Sequence, residues 1–246
     1  MKKKFDEYSL YVFDLDGTLY DQPRLRLAMA KRLIGYYCLH PFKINELFLL
    51  MAFRKKKDAW TDEAKNMSEE DGAAGTGAGN KDALNRGENI SISPVDLAVV
   101  RALSKERNVP VDRLAAIVKK WIYDDPLSAL YAARDEELIG VMERLREEGK
   151  KVLILSDYPA VDKLKALGIL ADGVYCSADE KIGALKPSPK GLMVIADDFS
   201  ADKADMIMVG DRHEKDGAAA ENFGCDYLIL NRHINKRKGS YEGMRL

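Results

Sequence analysis

The sequence has few of the features that mark secreted, membrane or nucleic-acid-binding proteins. Its 246 residues include only three cysteines, Cys38, Cys176 and Cys225, which lie far apart and form no CxxC pair. This spacing argues against a disulfide framework and against a zinc site, and it fits a reducing cytosol. Lysine and arginine total 39 against 40 acidic residues. Because neither sign of charge is in excess, the composition gives no support for binding to nucleic acid or to an anionic membrane.

Long hydrophobic runs are also missing. No stretch approaches the roughly 20 apolar residues that a membrane span needs. The basic start is interrupted by Asp6 and Glu7 and the apolar run behind it is short, so we expect no signal peptide and a cytoplasmic protein. Residues 61–90 are small and polar, but Asn80 stands where a GxGxxG nucleotide motif would need glycine. We therefore predict a flexible loop there.

An acidic pair follows the first apolar run. Leu10–Phe13 predicts a short buried strand. The residues after it are Asp14, Leu15, Asp16, Gly17 and Thr18. If the chain stays extended, a period of two places Asp14 and Asp16 on the same side. Two like charges held so close imply a cation, and hard carboxylate oxygens suit magnesium. The plainer alternative is an acidic turn, because Asp-Gly is a common hairpin signal.

The two parts of the chain that follow differ in character. Residues 21–131 show mainly the apolar spacing of amphipathic helices, whereas residues 132–246 alternate helices with short, continuously apolar strands. Such alternation predicts parallel strands with right-handed helical crossovers, buried on both faces. We therefore predict an α/β fold, a Rossmann-like doubly wound parallel sheet, from residues 1–20 and 132–246. Residues 21–131 would form an inserted helical domain.

Polar residues stand where the predicted strands end, the edge at which parallel sheets bind ligands. They are Ser156 and Asp157 after Val152–Leu155, Asp211 and Asp216 after Met206–Val209, and Lys186 ahead of a helix. A serine in this place is often only a helix cap, and a lysine before a proline often faces solvent. With Asp14 and Asp16, the acids Asp211 and Asp216 would bring up to four carboxylates to one place. Protein stability gives no reason for this convergence, because such buried charges could not stay unpaired.

Together these segments resemble the four motifs of the haloacid dehalogenase superfamily of phosphohydrolases. The matching residues are DxDGT at Asp14–Thr18, Ser156 at a strand end, Lys186 before Pro187, and the acidic pair Asp211 and Asp216. The resemblance covers roughly residues 8–20 and 135–230. The inserted helices resemble, in position, the caps placed between the first and second motifs. One departure is Asp157, where many relatives have asparagine.

The resemblance implies a magnesium-dependent phosphatase that acts on a small phosphorylated metabolite. The implied catalytic residues are Asp14 as the nucleophile that becomes an aspartyl-phosphate, Asp16 as general acid and base, Ser156 as a hydrogen-bond donor to the phosphoryl group, and Lys186 as its counter-charge. The implied magnesium ligands are Asp14, the backbone carbonyl of Asp16, Asp211 and Asp216. Gly17, Thr18 and Asp157 would lie against the phosphate.

Two other functions stay open at this point. A phosphomutase would share the same nucleophile but shield its phosphoenzyme from water, and a non-catalytic phosphate-binding module would keep only the fold. Asp16 is evidence against dehalogenation, because the dehalogenases that name the superfamily lack the second aspartate of the first motif. The expected partner is thus a small phosphate ester.

Overall fold

A computed structural model of the protein describes residues 3–70 and 92–237. The described residues form a five-stranded sheet. Its strands are β1 (Leu10–Phe13), β2 (Lys151–Ser156), β3 (Gly173–Cys176), β4 (Met206–Gly210) and β5 (Asp226–Ile229). The strand order is β3-β2-β1-β4-β5, and every pairing is parallel. The predicted α/β parallel fold is confirmed.

Helices connect these strands. In the described residues they are α1 (Gln22–Leu39), α2 (Ile44–Glu70), α3 (Pro94–Arg107), α4 (Val111–Val118), α5 (Asp125–Leu130), α6 (Glu136–Glu147), α7 (Val161–Leu167), α8 (Lys190–Phe199) and α9 (Ala218–Phe223). Side chains cap the start of α1, α3 and α6. Asp21 Oδ1 accepts a hydrogen bond from the backbone amide of Arg24 at 2.8 Å, Ser93 Oγ accepts one from Asp96 at 3.1 Å, and Asp135 Oδ1 accepts one from Leu138 at 3.1 Å.

The segment predicted as a flexible loop differs from expectation at its start. Helix α2 continues to Glu70, so residues 61–70 are helical rather than part of a loop. The sequence there has no proline and no glycine before Gly72, which removes the usual signals that end a helix. The remainder of the predicted loop, residues 71–90, lies outside the described residues.

The chain divides into two compact units, Met1–Ala28 with Leu127–Leu246, and Met29–Pro126. The first contains the sheet, with a core of strand residues such as Val12, Leu153 and Met208. The second is helical, with a separate core that includes Phe53, Val99, Leu103 and Leu114. The sequence-based boundaries of 1–20 with 132–246 and of 21–131, and the role of the insertion as a cap, stay predictions.

Strand β1 occupies the centre of the sheet and positions the site. Leu10 pairs with Lys151 of β2 on one side and with Met206 of β4 on the other. All four β1 residues are buried, as their continuous apolar character predicts. The order of strands reverses about β1, and ligands of open parallel sheets bind at such a switch point. Asp14 is the first residue beyond this central strand, and its amide donates to Val209 O at 2.8 Å.

None of the described helices has a stretch long and apolar enough to cross a bilayer. The three cysteines all lie in the described part of the chain and are free thiols. Cys38 is exposed and Cys176 is buried. This agrees with the prediction that the cysteines form no disulfide framework.

Candidate active site

Three of the four predicted carboxylates come together at the carboxyl edge of the sheet. Asp14 follows β1, Asp211 follows β4, and Asp216 lies in the wide helical turn His213–Gly217. All three side chains are buried, and each has a carboxylate oxygen within 4.8 Å of an oxygen of the other two. Asp16 lies outside this cluster. The reason is that β1 ends at Phe13 and the chain turns at residues 16–19, so the period of two that would align Asp14 with Asp16 no longer applies.

Asp16 has its own set of partners. Lys163 Nζ, on α7, donates to its two carboxylate oxygens at 2.6 and 2.7 Å, and the Tyr20 hydroxyl donates to Oδ1 at 2.5 Å. Neither partner was predicted from the sequence. Tyr20 could have been suspected because it lies two residues after the motif, whereas nothing in the sequence distinguishes Lys163 from other helix-surface lysines. The two aspartates of the first motif therefore sit in different electrostatic surroundings.

Lys186 lies under the carboxylate cluster. Its side chain is buried, and Nζ donates to Asp14 Oδ1 at 2.5 Å, to Asp216 Oδ1 at 2.7 Å and to Leu155 O at 3.2 Å. Burial alone would lower the pKa of this lysine, but the two carboxylates outweigh burial and raise it above its usual value. The ammonium group therefore stays charged and holds Asp14 and Asp216 together.

Asp157 supports the same lysine. Its Oδ1 accepts a hydrogen bond from the backbone amide of Lys186 at 3.1 Å, and its Oδ2 accepts one from Lys215 Nζ at 2.9 Å. Burial raises the pKa of Asp157, but the charges and hydrogen bonds of Lys186 and Lys215 lower it by more. The pKa of Asp157 is therefore below its usual value. Where many relatives carry asparagine, this chain thus has a carboxylate whose charge is balanced by Lys215.

The two predicted hydroxyl groups bond within the protein. Thr18 Oγ1 donates to Asp14 Oδ2 at 2.9 Å, and Ser156 Oγ accepts from the Tyr158 amide at 3.2 Å. Both residues are fully buried. Thr18 therefore orients the carboxylate of Asp14, and Ser156 shapes the turn after β2.

A cavity of about 600 Å³ opens over this edge of the sheet. Of the residues predicted from the sequence, Asp14, Asp16, Gly17, Asp157 and Asp211 line it. Ser156, Lys186, Thr18 and Asp216 are not among its lining residues. Its lining also includes four basic residues, Arg26, Arg212, Lys215 and Arg232. The two aspartates of the first motif thus face one cavity although their carboxylates have different partners.

The cluster has the properties of a magnesium site. Burial, and then Asp216, raise the pKa of Asp211 against the opposing charges of nearby arginines. Its Oδ1 is buried and accepts no hydrogen bond from the described residues, and its Oδ2 lies 3.4 Å from Arg232 Nε. Burial likewise raises the pKa of Asp14 to about 6, against the opposing charge of Lys186. Three buried carboxylates held this close together repel one another, and hard oxygen donors are what magnesium prefers.

The loop after β1 passes very close to Asp211. Gly17 has φ +102°, and a Cβ atom there would lie 2.8 Å from Asp211 Oδ2. Glycine at this position therefore provides both the turn and the close approach of the loop to Asp211. Asp14, Asp211 and Asp216 fit magnesium as ligands.

Solved structures of similar fold come from haloacid dehalogenases and related hydrolases. The 2-haloacid dehalogenase from Pseudomonas syringae pv. Tomato DC3000 superposes with a TM-score of 0.62 at 16% identity, over 91% of this chain and 86% of that one. The HAD-hydrolase YfnB from Bacillus subtilis, bound to magnesium, gives a TM-score of 0.53 at 14% identity, over 98% and 100% of the two chains. At such identities the likeness shows the fold alone.

Comparison by sequence gives two further results. Mouse (Mus musculus) bromodomain adjacent to zinc finger domain protein 2A is 32% identical over 105 residues, which are 42% of this chain; the chain spans 5% of the length of that curated relative. The model of the haloacid dehalogenase-like hydrolase family, in contrast, matches residues 8–224. With most of its length matched, from the strand before Asp14 to the helix after Asp216, the chain belongs to the haloacid dehalogenase-like hydrolases.

Proposed function

We propose that the protein is a magnesium-dependent phosphatase that hydrolyses a small phosphorylated metabolite through an aspartyl-phosphate on Asp14. The observation that carries this proposal is the division between the two aspartates of the first motif. Asp14 belongs to the buried carboxylate cluster and contacts Lys186, whereas Asp16 stands apart with Tyr20 and Lys163, and both line one cavity. Two carboxylates in different surroundings can take two different roles.

Asp14 is held as a nucleophile needs to be. Lys186 binds one of its carboxylate oxygens and Thr18 binds the other, so the side chain has little freedom to rotate. Phosphoryl transfer depends mainly on such positioning and on neutralised charge. Attack on phosphorus would form a bond between an Asp14 oxygen and phosphorus while the ester oxygen leaves. Water would then cleave the acyl phosphate and release inorganic phosphate.

Asp16 is placed to handle the protons of both steps. It would give a proton to the departing alkoxide and later take one from the attacking water. Tyr20 and Lys163 keep its carboxylate at the cavity wall. Magnesium, when held by Asp14, Asp211 and Asp216, supplies positive charge for the phosphoryl oxygens. Lys186 supplies the counter-charge that holds Asp14 and Asp216 together.

Phosphate-ester chemistry is favoured over dehalogenation by two features. A halide leaves as a stable anion and needs no proton, so a general acid at Asp16 has no purpose in dehalogenation. Displacement of halide also has no need of a divalent cation, whereas the buried cluster of Asp14, Asp211 and Asp216 suits one. The dehalogenases among the structural neighbours share the fold at low identity and support no choice of substrate.

An assay with two substrate types tests the proposal. An aryl phosphate and a 2-haloacid such as 2-chloropropionate are incubated with the protein, with and without magnesium. We expect steady release of phosphate that requires magnesium and stops on addition of a chelator, and no release of chloride. Chloride release without phosphate release would reject the phosphatase. Turnover that requires a bisphosphate primer would point instead to a mutase, and inactivity over a broad panel of phosphate esters to a binding module.

Two arginines in the cavity are candidates for substrate binding. Lys215 is paired with Asp157, and Arg232 is paired with Glu214 at 3.1 Å and with Asp211 at 3.4 Å. Arg26, in contrast, has no carboxylate partner among the described residues and donates only to the Gln22 amide oxygen, at 3.1 Å. Arg212 is 3.9 Å from Asp211. Guanidinium groups that lack a firm acid partner are well suited to an anionic substrate.

Arg26→Ala is therefore expected to raise KM for phosphate esters by about 10-fold, the effect of losing one charge-assisted hydrogen bond, with little change in kcat. Arg24→Ala provides the matched control, because Arg24 is exposed on the same helix but does not line this cavity. Steady-state kinetics with an aryl phosphate measures both constants. Equal KM values for the two variants would contradict a role for Arg26 in binding.

A further inference from the structure

A fully buried arginine lies beside the loop that carries Asp14 and Asp16. Arg237 is 0% exposed, and it lies beyond residues 8–224, the part of the chain that the family model matches. It follows β5 and a short helical turn at Ile234–Lys236. Nothing in the sequence distinguishes it, because one arginine in a basic, polar stretch forms no pattern.

The guanidinium group of Arg237 is bonded to the backbone of the first motif. Nη2 donates to Gly17 O and Nη1 to Thr18 O, both at 2.6 Å. Nη1 also donates to Asp135 Oδ2 at 2.8 Å, and Nε donates to Asn231 O. The planar fork of an arginine can reach these acceptors at the same time, which a single ammonium group cannot do.

Burying this charge is costly, and the contacts show where the cost is offset. Asp135 is itself only 1% exposed and is the ion-pair partner of Arg237 within the described residues, while its other oxygen caps helix α6. Stability alone gives little reason for such a pair, since apolar residues of similar volume are often as stable in its place. Unlike an apolar replacement, Arg237 also donates hydrogen bonds to the carbonyls of Gly17 and Thr18.

Fixing those two carbonyls fixes the loop, because each peptide unit is planar. The Thr18 side chain is then presented to Asp14, to which its hydroxyl donates at 2.9 Å. Gly17 is held so close to Asp211 that a Cβ atom would lie 2.8 Å from Oδ2. One guanidinium group thus acts, through two peptide units, on two carboxylates of the cluster.

We infer that Arg237 is a positioning residue, which sets the geometry of the magnesium-binding carboxylates through the carbonyls of Gly17 and Thr18. The inference rests on the proposed function in one respect, namely that the Asp14 cluster binds magnesium. Arg237 touches neither the cavity nor the reacting atoms. Its effect is therefore expected in metal affinity and kcat rather than in KM for the ester.

Two variants separate positioning from folding. Arg237→Lys keeps the charge opposite Asp135 but loses the fork. Arg237→Met combined with Asp135→Asn removes both members of the buried ion pair and so leaves no uncompensated charge, although it also loses the carbonyl contacts. Lys236→Met, at the exposed neighbouring residue, is the control. Magnesium affinity is measured by calorimetry on the metal-free proteins, folding by circular dichroism, and kcat and KM with an aryl phosphate.

For the folded Arg237 variants we expect the magnesium dissociation constant to rise about 10-fold or more, as is typical when a partner of a metal ligand is lost. We also expect a lower kcat, a KM within about twofold of wild type, and no change for Lys236→Met. Wild-type magnesium affinity in either folded Arg237 variant would overturn the inference. Failure of both to fold would also overturn it and leave Arg237 a structural role.

The calorimetric comparison needs no substrate, so it separates this inference from the proposed function. If the wild type binds magnesium but hydrolyses no phosphate ester, weaker binding in Arg237→Lys still supports the positioning role, and only the phosphatase is rejected. If the wild type takes up no magnesium, both are rejected.

Discussion

Asp14→Asn is expected to lower kcat for phosphate-ester hydrolysis by about 10,000-fold or more, because a carboxamide cannot serve as the nucleophile. The substitution conserves shape, and its oxygen can still accept the hydrogen bond from Lys186. It also removes one negative charge from three buried carboxylates, so the variant should be at least as stable as wild type. Steady-state kinetics and thermal unfolding measure the two effects.

The matched control is Asp202→Asn, the same chemical change at an exposed residue whose carboxylate caps the short turn Lys203–Asp205. This variant should keep wild-type kcat. Trapping the intermediate gives a second measurement: wild type quenched in acid after mixing with labelled phosphate ester should retain protein-bound label, and Asp14→Asn should retain none. Hydrolysis by Asp14→Asn within about 10-fold of wild type would remove Asp14 as the nucleophile.

Lys186→Met is expected to lower the free energy of unfolding by about 3–5 kcal/mol, the usual cost of removing one partner from a buried ion pair. Lys186 is the ion-pair partner of both Asp14 and Asp216, and all three side chains are almost completely buried. Without it the two carboxylates repel each other in a low-dielectric environment. Activity should fall at least about 100-fold, as when one group that stabilises charge in the transition state is lost.

Magnesium provides a further test of the same variant. A divalent ion at the cluster supplies part of the missing positive charge, so magnesium should stabilise Lys186→Met in urea unfolding. The control is Lys190→Met, at an exposed lysine at the start of α8, which should unfold at the wild-type midpoint. An equal midpoint for Lys186→Met and Lys190→Met would contradict the role of Lys186 beneath the cluster.

The sheet and most of the cluster could be predicted because their signals are local. Continuous apolar runs mark β1 and β4, and the residues that follow them, Asp14 and Asp211, reach the same edge by the geometry of parallel strands. The predicted helix limits fail where the local signals are weak. Helix α2 runs past residue 61 because nothing before Gly72 stops it.

What could not be predicted depends on contacts between distant residues and on backbone turns. The turn that separates Asp16 from Asp14 is set by the loop after β1, and periodicity describes only the strand before it. Lys163 and Arg237 reach the first motif from 147 and 219 or more residues away. An amino-acid pattern carries no information on such pairs until the fold brings them together.

The central place of β1 has a consequence for synthesis of the protein on the ribosome. Leu10 is made early, but its partners Lys151 and Met206 belong to strands made much later. At about 5–20 residues per second, the ribosome would add Lys151 roughly 7–28 s after Leu10. For that time both edges of an apolar strand lack their final neighbours, which makes the nascent chain a natural client for chaperones.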